Sequence, residues 1–426
     1  MNLLERNKDT NNQRSKQARY IIPIEETIID FINNNLGWIY LCFVTMLGIV
    51  IRIPLRHFIS GDAKIFLLPW YKVILENGLS TQVGDYNFPY QLCIYIFTKL
   101  PINPLYAFKL LSCIFDFLLA IVCGAIVYDI TKKWSKGLLA YSFVLISPIV
   151  ILNSAAWAQC DSIFVTFAIL GIYMLLKEKA LNAMLCFGLS LAFKLQAVFF
   201  FPALVVLYLL KKYSILYALA IPFSMFAISV PMVFVGRNLV EVVKVYASQT
   251  HTYPSMMINY PSLYGIFTAN NYAMYSKVAI LLTIFILSLQ IFYILYKRIE
   301  ISKENLISLF FVTVYTCVLF LPSMHERYGY PYEVLACILL FIKQKTLPLY
   351  IGLVLLTLRT YSSYLFGAKI DITLLSYLNV LIYLGYIYLL TKNLSREKMV
   401  MTKLGLDAID SQCDTDIPIN GYQESN

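Results

Sequence analysis

The stretch YSKVAILLTIFILSLQIFYILY, residues 275–296, decides the fold class of this chain, because it is apolar almost throughout and its one charged residue is Lys277. A helix of about 20 apolar residues spans the roughly 30 Å hydrocarbon core of a bilayer. Similar runs recur along the chain, which is 59% hydrophobic and 14% charged, with a mean hydropathy of +0.69. This composition excludes an ordinary soluble domain.

The apolar runs predict an all-α, polytopic membrane protein with about twelve transmembrane helices. The predicted spans are 36–55, 105–128, 137–155, 162–176, 181–194, 197–210, 214–235, 275–296, 305–322, 329–342, 347–366 and 372–391. We expect a cytosolic N-terminal arm at 1–35, a membrane body at 36–392 and a cytosolic, partly disordered tail at 393–426.

Lysine and arginine fall in alternate connections between the predicted spans. Cytoplasmic loops carry an excess of these residues, which places both termini of this multi-pass membrane protein inside. The inner connections include Lys132, Lys133 and Lys136, then Lys211 and Lys212, then Lys297, Arg298 and Lys303. The net charge of +10 is therefore largely a topology signal, and we expect no nucleic-acid partner.

Two predicted external segments, 56–104 and 236–274, are long enough to hold structure of their own. In the first, Ser60-Gly61-Asp62 precedes an amphipathic stretch that carries Trp70 and Tyr71. Aromatic residues of this kind suit the headgroup boundary, so amphipathic helices beside the membrane are expected in this segment. Any chemistry is therefore expected on the external side.

Polar residues at the external ends of the spans are the candidate site residues. Asp62 and the pair Gln159 and Asp161 each have a simpler interpretation as helix caps. Lys194 and Gln196 join two apolar runs, and a charge at the centre of the membrane costs about 2.5–3.5 kcal/mol. Lys194 then either reaches outward to headgroups from a hairpin turn or contacts an anion.

The segment Met324-His325-Glu326-Arg327-Tyr328 places a proton-exchanging ring, a carboxylate and a guanidinium side by side. Arginine is suited to bidentate phosphate recognition, whereas a Glu-Arg pair at a helix end would contribute little. His251 lies in the second long segment and is as consistent with a solvated loop histidine as with a ligand contact. The sequence shows no metal-ligand spacing, and no metal or other cofactor is expected.

Together these residues resemble the GT-C superfamily of integral-membrane glycosyltransferases, in particular bacterial membrane proteins related to the second GPI mannosyltransferase. The resemblance is carried by Gly61-Asp62 with Pro69-Trp70-Tyr71, by the Trp157–Asp161 turn, by Phe193–Gln196 and by Met324–Tyr328. These motifs extend over most of the membrane body, and the resemblance rests on their order and on their common side of the membrane. The first loop lacks the Asp-x-Asp or Asp-Asp/Glu pair of the eukaryotic members, which argues against metal dependence.

The resemblance implies transfer of a hexose, mannose-like by family precedent, from a polyprenyl-phosphate sugar to an extracytoplasmic glycan or glycolipid, with inversion at the anomeric carbon. It implies Asp62 as the general base. Lys194, Arg327 and His325 would bind the donor phosphate. The remaining candidates would orient these groups or bind sugar hydroxyls: Gln159, Asp161, Gln196, Glu326 and His251.

Two other classes need many spans and polar groups as well. A transporter or flippase of lipid-linked sugars would place its site near the membrane midplane, often between repeated halves. An O-antigen-type polymerase or ligase would keep external arginine and histidine but would not require a carboxylate in the first loop. The one-sided placement of the polar residues favours the glycosyltransferase.

Overall fold

Helices build almost the whole of the described protein. The computed structural model describes residues 23–267 and 271–413, and the side chains of 24–249, 253–267 and 271–392. Within these residues the predicted all-α class is confirmed, apart from one pair of two-residue strands.

The first ten helices are α1 (Pro23–Arg52), α2 (Leu68–Asn77), α3 (Phe88–Thr98), α4 (Pro104–Thr131), α5 (Trp134–Leu145), α6 (Pro148–Ile151), α7 (Asp161–Leu176), α8 (Ala180–Phe193), α9 (Phe201–Leu209) and α10 (Ala220–Ala227). They are followed by α11 (Pro231–Phe234), α12 (Glu241–Thr252), β1 (Met257–Ile258), α13 (Tyr272–Tyr296), α14 (Lys303–Phe320), β2 (Met324–His325), α15 (Tyr330–Ile342), α16 (Leu347–Phe366) and α17 (Ile372–Cys413).

Short 3₁₀ and π turns connect or extend several of these helices. The 3₁₀ turns are Ile53–His57, Leu195–Phe200, Ile215–Leu219, Leu263–Ile266 and Gln344–Thr346. The π turns are Ala63–Leu67, which runs into α2, and Leu152–Ala156, which continues α6.

Seven described helical segments are long and apolar enough to cross a membrane, so the protein is polytopic. They are Ile24–His57, Pro104–Thr131, Ile215–Phe234, Tyr272–Tyr296, Lys303–Phe320, Gln344–Phe366 and Ile372–Lys392. Trp134–Leu145 and Pro148–Ala156 meet the same criterion only as a pair bent by 41°.

The prediction of about twelve full spans is therefore not supported by helix length. The other four predicted spans coincide with shorter apolar helices, Asp161–Leu176, Ala180–Phe193, Leu195–Leu209 and Tyr330–Ile342. At a rise of about 1.5 Å per residue, a helix of about 16 residues is roughly 24 Å long and falls short of a 30 Å core. Hydropathy detects the apolar run but not where the helix bends or stops.

Both ends of the membrane body also differ from the predicted boundaries. Helix α1 is described from Pro23 onward and therefore includes part of the predicted arm. Helix α17 continues to Cys413, beyond the predicted boundary at 392. Residues 1–22 of the arm and 414–426 of the tail lie outside the described residues.

The chain divides after Ile53 into two units, and the second contains the candidate site. Within it, α4 packs against α5 and α7, α8 packs against α7 and α10, and α14 packs against α15. Glycines permit two of these close approaches. A Cβ at Gly124 of α4 would lie 2.9 Å from the carbonyl oxygen of Gly137 in α5, and a Cβ at Gly188 of α8 would lie 2.3 Å from that of Ile221 in α10.

A methyl group at Gly188 should separate α8 from α10. We expect Gly188→Ala to lower the free energy of unfolding by about 1–3 kcal/mol, the usual cost of overpacking. Gly352→Ala is the matched control, because the nearest atom to its added Cβ is Ile382 Cδ1 at 3.4 Å, an ordinary contact. Thermal unfolding in detergent measures both variants, and an equal effect of the two substitutions would contradict the close α8–α10 packing.

Candidate active site

A cavity of about 520 Å³ brings together residues that are far apart in the sequence. Five of the predicted site residues line it: Asp62, Gln159, His325, Glu326 and Arg327. The rest of the wall is largely aromatic or apolar and includes Phe66, Leu67, Trp70, Tyr86, Tyr253, Tyr328 and Tyr364. The cavity wall thus combines charged side chains with a surface suited to an apolar ligand.

Asp62 does not cap a helix, so the simpler interpretation of this residue is wrong. It has helical dihedral angles in the first turn and makes no capping hydrogen bond. Ser60 takes that role, since its Oγ accepts from Ala63 N at 3.1 Å and donates to Trp157 O at 2.8 Å. The side chain of Asp62 is therefore available to the site.

A buried lysine fixes the segment that leads into Asp62. Lys109 of α4 donates to the carbonyl oxygens of Leu55 and Phe58, both at 2.6 Å. These bonds pair an ammonium group with backbone acceptors in a region of low water content. They tie the start of the first external segment to the membrane body.

The carboxylate of Asp62 accepts four hydrogen bonds. Its Oδ2 accepts from Trp157 Nε1 at 3.0 Å, from Gln159 Nε2 at 2.6 Å and from Arg327 Nη1 at 3.1 Å. Its Oδ1 accepts from the hydroxyl of Tyr364. The donors of these four hydrogen bonds come from three separate segments, so the carboxylate is fixed in place.

Arg327 connects two carboxylates rather than pairing with its neighbour Glu326. Its Nη1 lies 3.1 Å from Asp62 Oδ2, and its Nε lies 3.8 Å from Asp161 Oδ2. Burial opposes the charge, but Tyr86, Asp62 and Asp161 favour it, so the pKa of Arg327 is raised well above its ordinary value. The guanidinium is a permanent cation at the cavity wall.

Lys194 forms a buried ion pair with Asp161, whose other oxygen accepts from Asn153 Nδ2 at 2.9 Å. The side chain of Lys194 is 5% exposed, so it does not reach headgroups. Asp62, Arg327, Asp161 and Lys194 thus alternate in sign, and we call these four residues the charge chain. Among the described residues that line the cavity, neither Lys194 nor Asp161 appears.

Removing one member of a buried ion pair leaves the other charge uncompensated. We expect Lys194→Met to lower the free energy of unfolding by about 3–5 kcal/mol, with partial recovery in the double variant Lys194→Met/Asp161→Asn. Lys177→Met is the matched control, because Lys177 pairs with Asp129 but is 40% exposed, and its loss should have a much smaller effect. Equal losses from both single variants, measured in detergent, would contradict a buried pair.

Two short strands bring part of the segment 236–274 to the site. Strands β1 and β2 pair in parallel, with Met257 opposite Met324 and Ile258 opposite His325. Ser323, immediately before β2, has a φ of 61°, and Ala158, beside Gln159, has a φ of 65°. Such left-handed conformations cost non-glycine residues about 1–3 kcal/mol and cluster at functional sites.

His325 is a neutral ring in this site. Burial lowers its pKa to about 3, and the nearby cations Arg327 and Lys194 act in the same direction. It can therefore donate one N–H hydrogen bond to a phosphate but supplies no charge at neutral pH. Its predicted contact with the donor phosphate stays a prediction in this restricted form.

Glu326 is a buried carboxyl group that is about half protonated at neutral pH. Burial raises its pKa to about 7, although Arg327 opposes the rise. Its Oε2 has no hydrogen-bond partner in the described structure. Burial destabilises the ionised form of Glu326 by more than the neighbouring guanidinium stabilises it.

The protonation of Glu326 should make the stability of the fold depend on pH. Because the pKa is raised on folding, the stabilisation is complete below pH 4.5 and is lost as the pH rises through about 7. The loss is roughly 3 kcal/mol, since one pKa unit corresponds to about 1.36 kcal/mol. We expect Glu326→Gln to abolish this loss, as thermal unfolding at pH 5 and pH 8 would show.

The matched control for this measurement is Glu76→Gln, because Glu76 is exposed on α2. It should keep the wild-type pH dependence. The same pH dependence in Glu326→Gln and in wild type would show that another group titrates.

Besides Lys194 and Asp161, two predicted residues are not described at the cavity. Gln196 is buried and its Oε1 has no hydrogen-bond partner, but it is not among the described lining residues. His251 falls in α12, and its side chain lies outside the described residues. Their predicted contacts stay predictions.

Three contributing residues were missed in the sequence. Tyr364 lies in an apolar span, where a hydroxyl gave no distinct signal, and Tyr86 was noted only as part of a turn. Asn153 had a signal, since a polar amide inside a predicted span is a functional candidate by default. Trp157, quoted within a motif, also stacks on Tyr364 with ring centroids 4.6 Å apart.

In comparisons with known proteins, no family model and no curated protein matches this chain. In the described part of the chain, no three His, Cys, Asp or Glu side chains form a group that could hold a metal ion. The functional interpretation therefore depends on the geometry of the site and on the resemblance in its motifs.

Proposed function

We propose that this protein is an integral-membrane glycosyltransferase of the GT-C type. It transfers a hexose, with mannose as the first candidate, from a polyprenyl-phosphate sugar to an extracytoplasmic glycan or glycolipid. The observation that supports this most directly is the carboxylate of Asp62 at the wall of a 520 Å³ cavity, 3.1 Å from the guanidinium of Arg327.

The proposed membrane arrangement has both termini in the cytoplasm and the cavity outside. The bent pair Trp134–Ala156 and the four shorter apolar helices would then also cross the membrane, where packing within the bundle covers their ends. The alternating basic connections support this arrangement. The helices that follow Asp62 would lie along the outer surface of the membrane, with Phe66 and Trp70 facing the lipid boundary and the cavity.

The lining of the cavity has groups suited to the phosphate and groups suited to the apolar part of a lipid-linked donor. Arg327 and His325 would contact the phosphate, and Lys194 would act through Asp161 by holding the charge chain in place. Aromatic side chains such as Tyr86 and Tyr253 would pack on the sugar or the first prenyl unit. Gln159, Asp161, Gln196, Glu326 and His251 remain proposed orienting or hydroxyl-binding residues.

In the proposed reaction the acceptor oxygen attacks the anomeric carbon as the bond from that carbon to the phosphate oxygen breaks. Asp62 takes the proton of the acceptor hydroxyl, and polyprenyl phosphate leaves with the electron pair. The configuration at the anomeric carbon inverts. Phosphate needs no strong acid to leave, but its added charge needs donors that are already in place.

The resting contacts of Asp62 support an order of binding. Three of its four hydrogen bonds fall on Oδ2, and one of these three comes from Arg327. A donor phosphate competes for that guanidinium and thereby frees one lone pair of Asp62 Oδ2. The donor would then bind first, and its phosphate would convert a structural carboxylate into a base.

Asp62→Asn should abolish transfer while leaving a folded protein that binds donor, because an amide cannot accept the proton. We expect a loss of about a hundredfold or more. The assay incubates purified protein with a panel of radiolabelled polyprenyl-phosphate hexoses and a cell-envelope extract, with chelator in a parallel tube. Asp129→Asn, a carboxylate outside the cavity lining, is the control.

Near-normal turnover by Asp62→Asn would remove Asp62 as the base. No transfer by wild type from any donor, together with flipping of lipid-linked sugar in liposomes that Asp62→Asn leaves intact, would replace the enzyme by the flippase. Label transferred in the presence of chelator would agree with the expected metal independence.

A further inference from the structure

Asp85 is a second aspartate at the wall of the cavity that holds Asp62. It does not belong to the charge chain, in which each carboxylate is paired with a cation. Among the described residues, no side-chain hydrogen bond or ion pair involves the carboxylate of Asp85. The proposed reaction has so far given this residue no role.

The main chain around Asp85 is fixed by two side-chain amides. Gln82 Nε2 donates to the carbonyl oxygen of Gly84 at 3.1 Å and to that of Tyr86 at 3.2 Å. The carbonyl oxygen of Asp85 itself accepts from Gln249 Nε2. These bonds hold the backbone on both sides of Asp85 and use neither oxygen of its carboxylate.

A buried arginine in turn holds the glutamines of this loop. Arg237 is 6% exposed, and its Nη1 donates to Gln91 Oε1 at 2.8 Å while its Nη2 donates to Gln82 Oε1. Gln91 Nε2 donates to Tyr86 O at 2.8 Å. Arg237 also pairs with Glu241 of α12 at 2.9 Å. The loop is therefore held in one position before any ligand binds.

Gly84 brings the same loop against the aromatic part of the cavity wall. Its φ is 62°, and a Cβ at this position would lie 2.3 Å from the indole ring of Trp70. Tyr86 packs on that indole from the other side of Asp85 in the chain, with ring centroids 5.6 Å apart. A sugar needs an apolar surface for its C–H face and acceptors for its hydroxyls, and this part of the wall supplies both.

Asp85 lies at a more accessible part of the wall than the groups proposed for the phosphate and the base. Asp85 is partly exposed, Gly84 is exposed and Tyr253 is 41% exposed, whereas the side chains of Asp62 and Arg327 are each 14% exposed. Burial raises the pKa of Tyr253, and the carboxylate of Asp85 acts in the same direction, as expected of neighbours at the rim. An acceptor that enters from water meets this rim first.

A carboxylate at the rim discriminates between ligands by their charge. When ionised it only accepts hydrogen bonds, so adjacent hydroxyls can donate to its two oxygens with charge-assisted strength. A ligand carboxylate or phosphate offers no donor there and is repelled. Among the described lining residues Arg327 is the one permanent cation, and two other carboxylates already share it.

We propose that Asp85 binds adjacent hydroxyls of the acceptor and thereby selects an uncharged sugar over an anionic one. The inference rests on the proposed transferase function and narrows its acceptor to the end of a neutral glycan or glycolipid. Asp85 would hold the acceptor ring, and Asp62 would take the proton of the attacking hydroxyl.

Binding to purified protein in lipid nanodiscs, without turnover, tests this proposal. The probes are matched pairs of methyl hexosides and methyl hexuronosides, which differ only in carrying a neutral hydroxymethyl group or a carboxylate. Measured by saturation-transfer NMR, wild type should bind at least one neutral hexoside with about tenfold preference over its anionic counterpart. Asp85→Asn should bring this preference close to one, and Asp85→Lys should invert it.

Glu76→Gln is the matched control, because it removes the same charge from an exposed position in the segment 56–104 that also contains Asp85. It should keep the preference of wild type. Two results would overturn the proposal. One is that wild type binds no neutral hexoside, and the other is that Asp85→Asn leaves the preference unchanged.

The transfer assay with the same acceptor pairs separates this proposal from the proposed function. Selective binding of a neutral hexoside without transfer from any donor would support the sugar site and remove the transferase. Transfer to both members of a pair at equal rates would support the transferase and overturn the role of Asp85. We expect Asp85→Asn to raise the KM for the neutral acceptor and to leave the KM for the donor unchanged, and the opposite result would also overturn it.

Discussion

The alternation of charge from Asp62 through Arg327 and Asp161 to Lys194 is the constraint on which the site depends. These four residues come from four segments that are widely separated in sequence. Each charge is buried or nearly so, and each is compensated by the next. The charge chain therefore fixes the relative positions of four elements. They are the segment 56–104, the Trp157–Asp161 turn, the end of α8 and the segment after α14.

The same arrangement accounts for how the proposed base and the proposed phosphate-binding group can occupy one small cavity. Without a ligand, Arg327 is committed to the two carboxylates, and the four members of the charge chain together carry no net charge. In the proposed reaction an incoming phosphate redistributes an existing cation instead of requiring a new one. The neutral ring of His325 fits such a site, because it adds no charge that would have to be compensated, and Glu326 is only partly ionised at neutral pH.

The sequence predicted which residues meet at one cavity more successfully than it predicted their contacts. Asp62, Gln159 and Arg327 were all recognised and meet at one cavity, because intramembrane or boundary charges are rare enough to stand out. Their partners could not be predicted, since adjacency in a turn does not imply contact. Arg327 passes over its neighbour Glu326 for two distant carboxylates, and Lys194, expected at a phosphate, compensates Asp161.

For the fold, as for the site, the sequence predicted the components but not their exact geometry. Apolar runs located α1 and the helices from α4 to α17 apart from α12, but helix length depends on breaks that hydropathy does not detect, such as the one between α5 and α6. The pairing of β1 with β2 was missed because two residues carry no strand pattern. Tyr364 was missed because a tyrosine at the end of an apolar span looks like an ordinary membrane-boundary residue.

The two π turns have a consequence for how this site can vary. Ala63–Leu67 directly follows Asp62, and Leu152–Ala156 directly precedes Trp157. Such a turn widens the helix so that one extra residue fits without changing the register of the helix on either side. Loss of a single codon in either turn would thus remove this widening next to Asp62 or Trp157 and shift that side chain relative to the cavity. The number of residues in each π turn is therefore more constrained than the identity of those residues.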